Sequence, residues 1–210
     1  MIKLGFLDES KGARNTFYRV FHKQFEVVML DDPTKIATLD MLLEEIEKQE
    51  IQVLAVDYKL ADGGWISYNG NDVVDALWEK RRYFPVFMLT SHVGDAIQKM
   101  ENAFLVNDKD IFSKDGDLQV LFQKIEGSVQ SYAQILSEKE NRVEELEIKQ
   151  ESKEGLNEDE EQELLSLHVE MHAIDPKSNP ITPDKMQTKA ITDLRDLLTV
   201  SRAMLDTLKS

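Results

Sequence analysis

"VLAVDYKLADGG", residues 53–64, decides the fold. Val53 to Val56 are apolar at consecutive positions, which is how a strand covered on both faces reads, and the run stops on Asp57. A carboxylate at the end of a buried strand is costly unless a partner, a metal or water meets it. Chemistry is therefore expected where this strand ends.

Four more apolar runs have the same character: "IKLGFL" (2–7), "FEVVML" (25–30), "FPVFML" (84–89) and the weaker "DIFS" (110–113). Segments with helical spacing separate them, such as Ile36, Leu39, Leu42, Leu43 and Ile46, or Val73, Val74, Leu77 and Trp78. Alternating strands and helices predict an α/β, doubly wound, five-stranded parallel sheet over residues 1–126. In such sheets the functional groups collect outside the carboxyl ends of the strands. Asp8 and Glu9 follow the first run, Asp57 the third, Thr90 and Ser91 the fourth, and Lys114 the fifth. Right-handed crossovers bring these ends to one edge.

Three carboxylates gathered there repel one another, at about 4 kcal/mol for unit charges about 4 Å apart at an effective dielectric near 20. An all-oxygen set without His or Cys suits Mg²⁺, completed by waters and a phosphate. Beside such an ion Asp57 can attack phosphorus as a carboxylate nucleophile. The charge of the transferring group is then shared among Mg²⁺, the Lys114 ammonium, and the Thr90 hydroxyl with the Ser91 amide.

Taken together, "FLDES", "VLAVDYKL", "FPVFMLTS" and "DIFSKDG" resemble the receiver domain of bacterial two-component response regulators, a flavodoxin-like fold. The resemblance implies that Asp57 is the phosphoacceptor, and that Asp8, Glu9, Asp57 and the backbone carbonyl of Lys59 bind Mg²⁺. It also implies that Thr90 and Lys114 read the phosphate. Three features depart from the family pattern. Asp115 replaces the usual proline after the lysine, Ile111 falls at the aromatic switch position, and "GGWISYN" adds about five residues before Gly70. Trp65 and Tyr68 on that insertion either stand exposed beside the site, for gating or partner contact, or fold back onto the domain.

Residues 127–210 read differently. From Phe122 to Gln150 apolar positions step by three and four, as in a coiled-coil seam. Gly155 interrupts, and Asn157 with Glu160 forms a capping-box pattern opening a second helix. At the end of the connector "DPKSNPITPDK", Thr182 and Pro183 open a third helix, with Met186, Ala190, Leu194, Leu197, Met204, Leu205 and Leu208 inward. The tail is thus an all-α output or dimerisation segment, either a bundle within one chain or a homodimer interface. His168 and His172 lie one turn apart but lack a third ligand, and are read as seam or surface residues.

The formal net charge is −15, and both halves carry it: residues 1–126 have 22 acids against 15 bases, and 127–210 have 18 against 10. Direct nucleic-acid binding is disfavoured, the Lys80–Arg82 triplet being read as a solvated helix end. With no cysteine, disulfides and thiolate metal sites are excluded, and with no membrane-length apolar stretch a cytoplasmic location is expected. The expectation is a signalling protein, not a metabolic enzyme. A histidine kinase or phosphotransfer protein phosphorylates Asp57, and the tail engages a protein effector. The alternative is a pseudo-receiver adaptor or scaffold that works without phosphorylation. An aspartate-based phosphohydrolase is weaker, because the second Asp it needs two residues after the nucleophile is here Lys59.

Overall fold

The computed structural model describes residues 1–100, 102–113, 115–186 and 197–201. Strands β1 (Lys3–Leu7), β2 (Glu26–Met29), β3 (Val53–Val56), β4 (Val86–Thr90) and β5 (Val106–Asp108) form one sheet in the order β2-β1-β3-β4-β5, with all four pairings parallel. That order is the flavodoxin-like doubly wound arrangement, with its topological switch beside β1 and β3. Helices α1 (Lys11–Phe21), α2 (Leu39–Lys48), α3 (Gly70–Lys80) and α4 (Val93–Lys99) connect the strands.

Period-two alternation along the strands divides the core into two layers. Leu4, Phe6, Val53, Ala55, Phe87 and Leu89 pack with Phe17 and Phe21 of α1 on one face. Leu7, Leu54, Val56, Val86 and Met88 pack with α2 and α3 on the other. Four strands coincide with the apolar runs of the sequence, and the fifth does not. β5 is the short Val106–Asp108, whereas "DIFS" lies in the 3-10 turn Lys109–Ser113 that follows it. Ile111 and Phe112 drew the sequence reading because they are apolar, and they do pack on the core, but from a turn. Ile111 is therefore not a position of the last strand.

Helix α5 runs from Asp115 to Glu151 and α6 from Glu158 to Ile174. The chain divides into two compact units, Met1–Ile135 and Leu136–Ser210, so the division falls inside α5, beyond the change of composition at residue 126. The cause is packing: Leu121, Phe122 and Ile125, with Val129 partly buried, belong to the sheet unit's core. In the second unit Val143 and Leu146 of α5 bury against Leu164 and Met171 of α6. The seam read as one stripe therefore serves two cores.

Helix α6 opens as its sequence predicts: Asn157 Oδ1 accepts from the Glu160 amide (3.0 Å) while Glu160 Oε2 accepts from the Asn157 amide (3.1 Å). Gly155 sits at φ +65° in the preceding turn. His168 is buried in the seam, 3.8 Å from Glu147, and His172 Nδ1 lies 2.9 Å from the Asn179 carbonyl. Of the expected third helix, Asp184–Met186 form a 3-10 turn and 197–201 are helical. Met186 and Leu197 are exposed, and Ala190, Leu194, Met204, Leu205 and Leu208 lie outside the described residues. No helix among the described residues is long and apolar enough to cross a membrane.

Candidate functional site

The register sets the site. Leu7 pairs with Val56, so Asp8 and Asp57 leave adjacent strands side by side. Across the sheet Val56 pairs with Met88 and Thr90 with Asp108, which places Thr90 and Lys109 at the same edge. Carboxylate oxygens of Asp8, Glu9 and Asp57 lie within 4.8 Å of one another. Asp8 and Asp57 are almost wholly buried, whereas Glu9 is half-buried.

Local bonds fix each acid. Asp8 Oδ1 accepts from the Ser10 amide at 2.8 Å, and Asp57 Oδ2 from the Lys59 amide at 3.1 Å. The Arg14 guanidinium, one turn into α1, donates to the carbonyls of Asp8 (2.6 Å) and Glu9 (3.1 Å), tying down the backbone that carries the pair. Behind Asp57, Gly70 opens α3, and a Cβ there would stand 2.3 Å from the Asp57 carbonyl oxygen. Only glycine permits that approach.

Among the described residues, the ammonium at this edge is that of Lys109. Its Nζ lies 2.7 Å from Asp8 Oδ2 and 2.9 Å from Asp57 Oδ1, as an ion pair with each. Lys114, which the sequence reading chose, lies outside the described residues. Lys109 was missed because the strand had been placed on "DIFS"; the signal that finds it is a lysine directly after Asp108, where β5 ends. Burial pulls the Lys109 pKa down, but the hydrogen bonds and charges of Asp8 and Asp57 outweigh it and leave the value raised. The Glu9 pKa is pushed up to about 7, by desolvation first and then by the negative charges of Asp8 and Asp57, against the pull of its own amide and Lys109.

Among the described residues, three carboxylates against one lysine leave the cluster short of positive charge. Glu9 Oε2 is buried with no hydrogen-bond partner. The residues therefore fit a hard divalent cation, which Asp8, Glu9 and Asp57 would hold through oxygen. Such an ion would supply charge neutralisation for a bound phosphoryl group.

Thr90 is fully buried, and its Oγ1 accepts the His92 amide at 3.1 Å, while Ser91 is exposed just beyond the strand. The Lys59 side chain points its ammonium at Asp62, 4.0 Å away. The insertion folds back instead of standing out. Tyr68 is buried and donates its hydroxyl to the Ile36 carbonyl at 2.6 Å, and Ile66 is buried beside it. Trp65 is half-buried, with the Arg14 guanidinium 5.9 Å from its ring centroid. Of the two alternatives open from the sequence, the folded-back loop is the one found: an apolar Ile66 and a phenol with a carbonyl within reach gain more from the core than from solvent.

No protein-family model matches the chain, and no curated protein matches it. Among solved structures, the signal receiver domain of a LuxO repressor protein from Vibrio parahaemolyticus is similar at 17% identity and a TM-score of 0.42, covering 62% of this chain and 91% of that one. A fusion carrying the yeast Spc42 trimeric coiled-coil segment is similar at 19% identity and a TM-score of 0.46, covering 70% of this chain and 93% of that one. At these scores the likeness adds nothing to the sheet order, which by itself fixes the flavodoxin-like class.

Proposed function

We propose that the sheet unit is a phosphoryl-accepting receiver of a two-component response regulator, with Asp57 as the acceptor and Mg²⁺ as its cofactor. The observation that carries this reading is the meeting of Asp8, Glu9, Asp57 and Lys109 at one edge of a parallel sheet. A carboxylate oxygen of Asp57 attacks phosphorus, the bond from phosphorus to the donor breaks, and the leaving group takes up a proton. Asp57 is oriented for this by Lys109 on one oxygen and the Lys59 amide on the other. In the product Lys109 exchanges a carboxylate for a phosphoryl oxygen, the Thr90 hydroxyl and Ser91 amide take another, and the Lys59 carbonyl would serve with the acids in holding the cation. The donor is a histidine kinase or phosphotransfer protein, and the helical unit carries the output to a protein effector or to a second copy of the chain.

One observation favours the adaptor reading: Lys109 already joins Asp8 and Asp57, so part of the cluster is compensated without any ligand. Mass spectrometry of the wild type and Asp57→Ala with Mg²⁺ and acetyl phosphate separates the two. One phosphoryl adduct on wild type and none on the variant is the expected outcome. No adduct on wild type, with no beryllofluoride binding, sinks the receiver reading and leaves the adaptor.

A further inference from the structure

We propose that Trp65 is a positioning residue for the acidic cluster: its indole N–H is the donor that the Glu9 carboxylate takes up when a divalent cation binds. This rests on the reading of Asp8, Glu9 and Asp57 as a cation site.

Asp8 Oδ2 and Asp57 Oδ1 are met by Lys109 as ion pairs, which leaves two buried polar atoms at this place with no partner, Glu9 Oε2 and Trp65 Nε1. One is an acceptor and the other a donor only. Their side chains meet at Gly63: a Cβ built there would lie 2.8 Å from Glu9 Cβ and 2.9 Å from Trp65 Nε1, so the stem of Glu9 and the indole N–H close on the glycine around a space too small for a methyl group. An unsatisfied donor and an unsatisfied acceptor side by side are each costly, and buried polar groups in folded proteins are seldom left so. Closing them into a hydrogen bond removes both penalties.

Trp65 is held by the same parts that hold the acids. The Arg14 guanidinium that binds the Asp8 and Glu9 carbonyls also lies over the Trp65 ring. The insertion is fastened on both sides of the tryptophan. Asn69 Oδ1 accepts the amides of Leu60 (3.2 Å) and Ala61 (3.1 Å), and Tyr68 is bonded to Ile36. Gly64, at φ +72°, turns the chain so that Trp65 comes back towards Glu9. A carboxylate has lone pairs enough to serve a cation with one oxygen and an N–H with the other. Outer partners of this kind orient a ligand and tune its affinity.

The test is made on the full chain with Mg²⁺ as the probe. The indole ¹H–¹⁵N resonance of Trp65, assigned by its loss in Trp65→Phe or its retention in Trp78→Phe, is followed through a Mg²⁺ titration, with affinity measured by calorimetry. The expected result is a downfield shift of that resonance on binding, with Trp65→Phe weakening Mg²⁺ by about tenfold, the low end for outer-shell partners. Its melting in metal-free buffer should match wild type. If wild type binds Mg²⁺ and Asp57→Asn does not, while the indole signal stays still and Trp65→Phe binds as wild type, the role of Trp65 is overturned and the cation site stands. If wild type binds no Mg²⁺, both fall. Should Trp65→Phe fail to fold, the resonance in wild type alone decides.

Discussion

The sheet edge and the helical hairpin are both rich in acid, and they use it in opposite ways. At the edge, like charges are buried together, with one lysine between two of them. In the hairpin, cations meet acids pair by pair at the surface: Arg142 with Glu163 through two bonds of 2.8 and 2.7 Å and with Glu145 at 3.0 Å, Lys149 with Glu160 at 2.6 Å, and Lys139 with Glu170. Beside those pairs lies an apolar seam of Val143, Leu146, Leu164 and Met171. Surface pairing sets the register of two helices at little gain in stability. Concentrated burial stores unfavourable charge that a ligand can relieve, and that is the condition for a site.

Lys109→Ala is the substitution that should sharpen this contrast most. It strands Asp8 and Asp57 without their cation, and about 3 kcal/mol of stability should be lost, the low end for a broken buried pair because Lys109 reaches solvent. Urea unfolding checks it, and Mg²⁺ should restore part of the loss. A variant as stable as wild type would show that the edge is no more strained than the hairpin. Leu146→Ala comes next, with about 2–4 kcal/mol expected for emptying a buried leucine site, read as loss of helical ellipticity on heating.

The third prediction concerns pH. Glu9 has a folded pKa near 7 against an ordinary value of 4.5, so the folded metal-free chain holds an extra proton between them. The stability this proton confers is complete below 4.5 and is lost as pH rises through 7. Glu9→Gln should therefore be more stable than wild type at pH 8, with the gap closing towards pH 4.5. Mg²⁺ binding near pH 6.5 should release protons, which calorimetry in buffers of different ionisation enthalpy detects. The smallest effect belongs to Arg142→Ala, which leaves the melting profile nearly unchanged; a loss rivalling that of Leu146→Ala would erase the distinction between pairing and burial.

β1, β3 and β4 could be read from sequence because a strand covered on both faces must be apolar nearly throughout, the edge strand β2 still showed through Val27, Val28 and Met29, and the acids after β1 and β3 stood out against that background. β5 could not. It is three residues long at the sheet's edge, with Val106 and Asn107 half-buried and Asp108 exposed, so burial left no apolar run to see. The neighbouring Ile111 and Phe112 carried a core signal from a turn and drew the strand about four residues too far, so that Lys109, directly after the true strand end, went unread. The fate of Trp65 and Tyr68 was equally hidden, since it depends on the Ile36 carbonyl and on Arg14, groups distant in sequence that only the fold brings near. Helix α5 was legible as a repeat, but repeat spacing does not say which partner lies opposite each turn.

Gly70 has a consequence for anyone mapping this protein by saturation mutagenesis. It carries no functional group, yet a side chain there would displace the carbonyl of Asp57 itself. In a tolerance map built on phosphorylation, position 70 should be as dark as position 57. The conservative Gly70→Ala should score no better than bulkier replacements. A blank residue would then mark the site as clearly as its acids do.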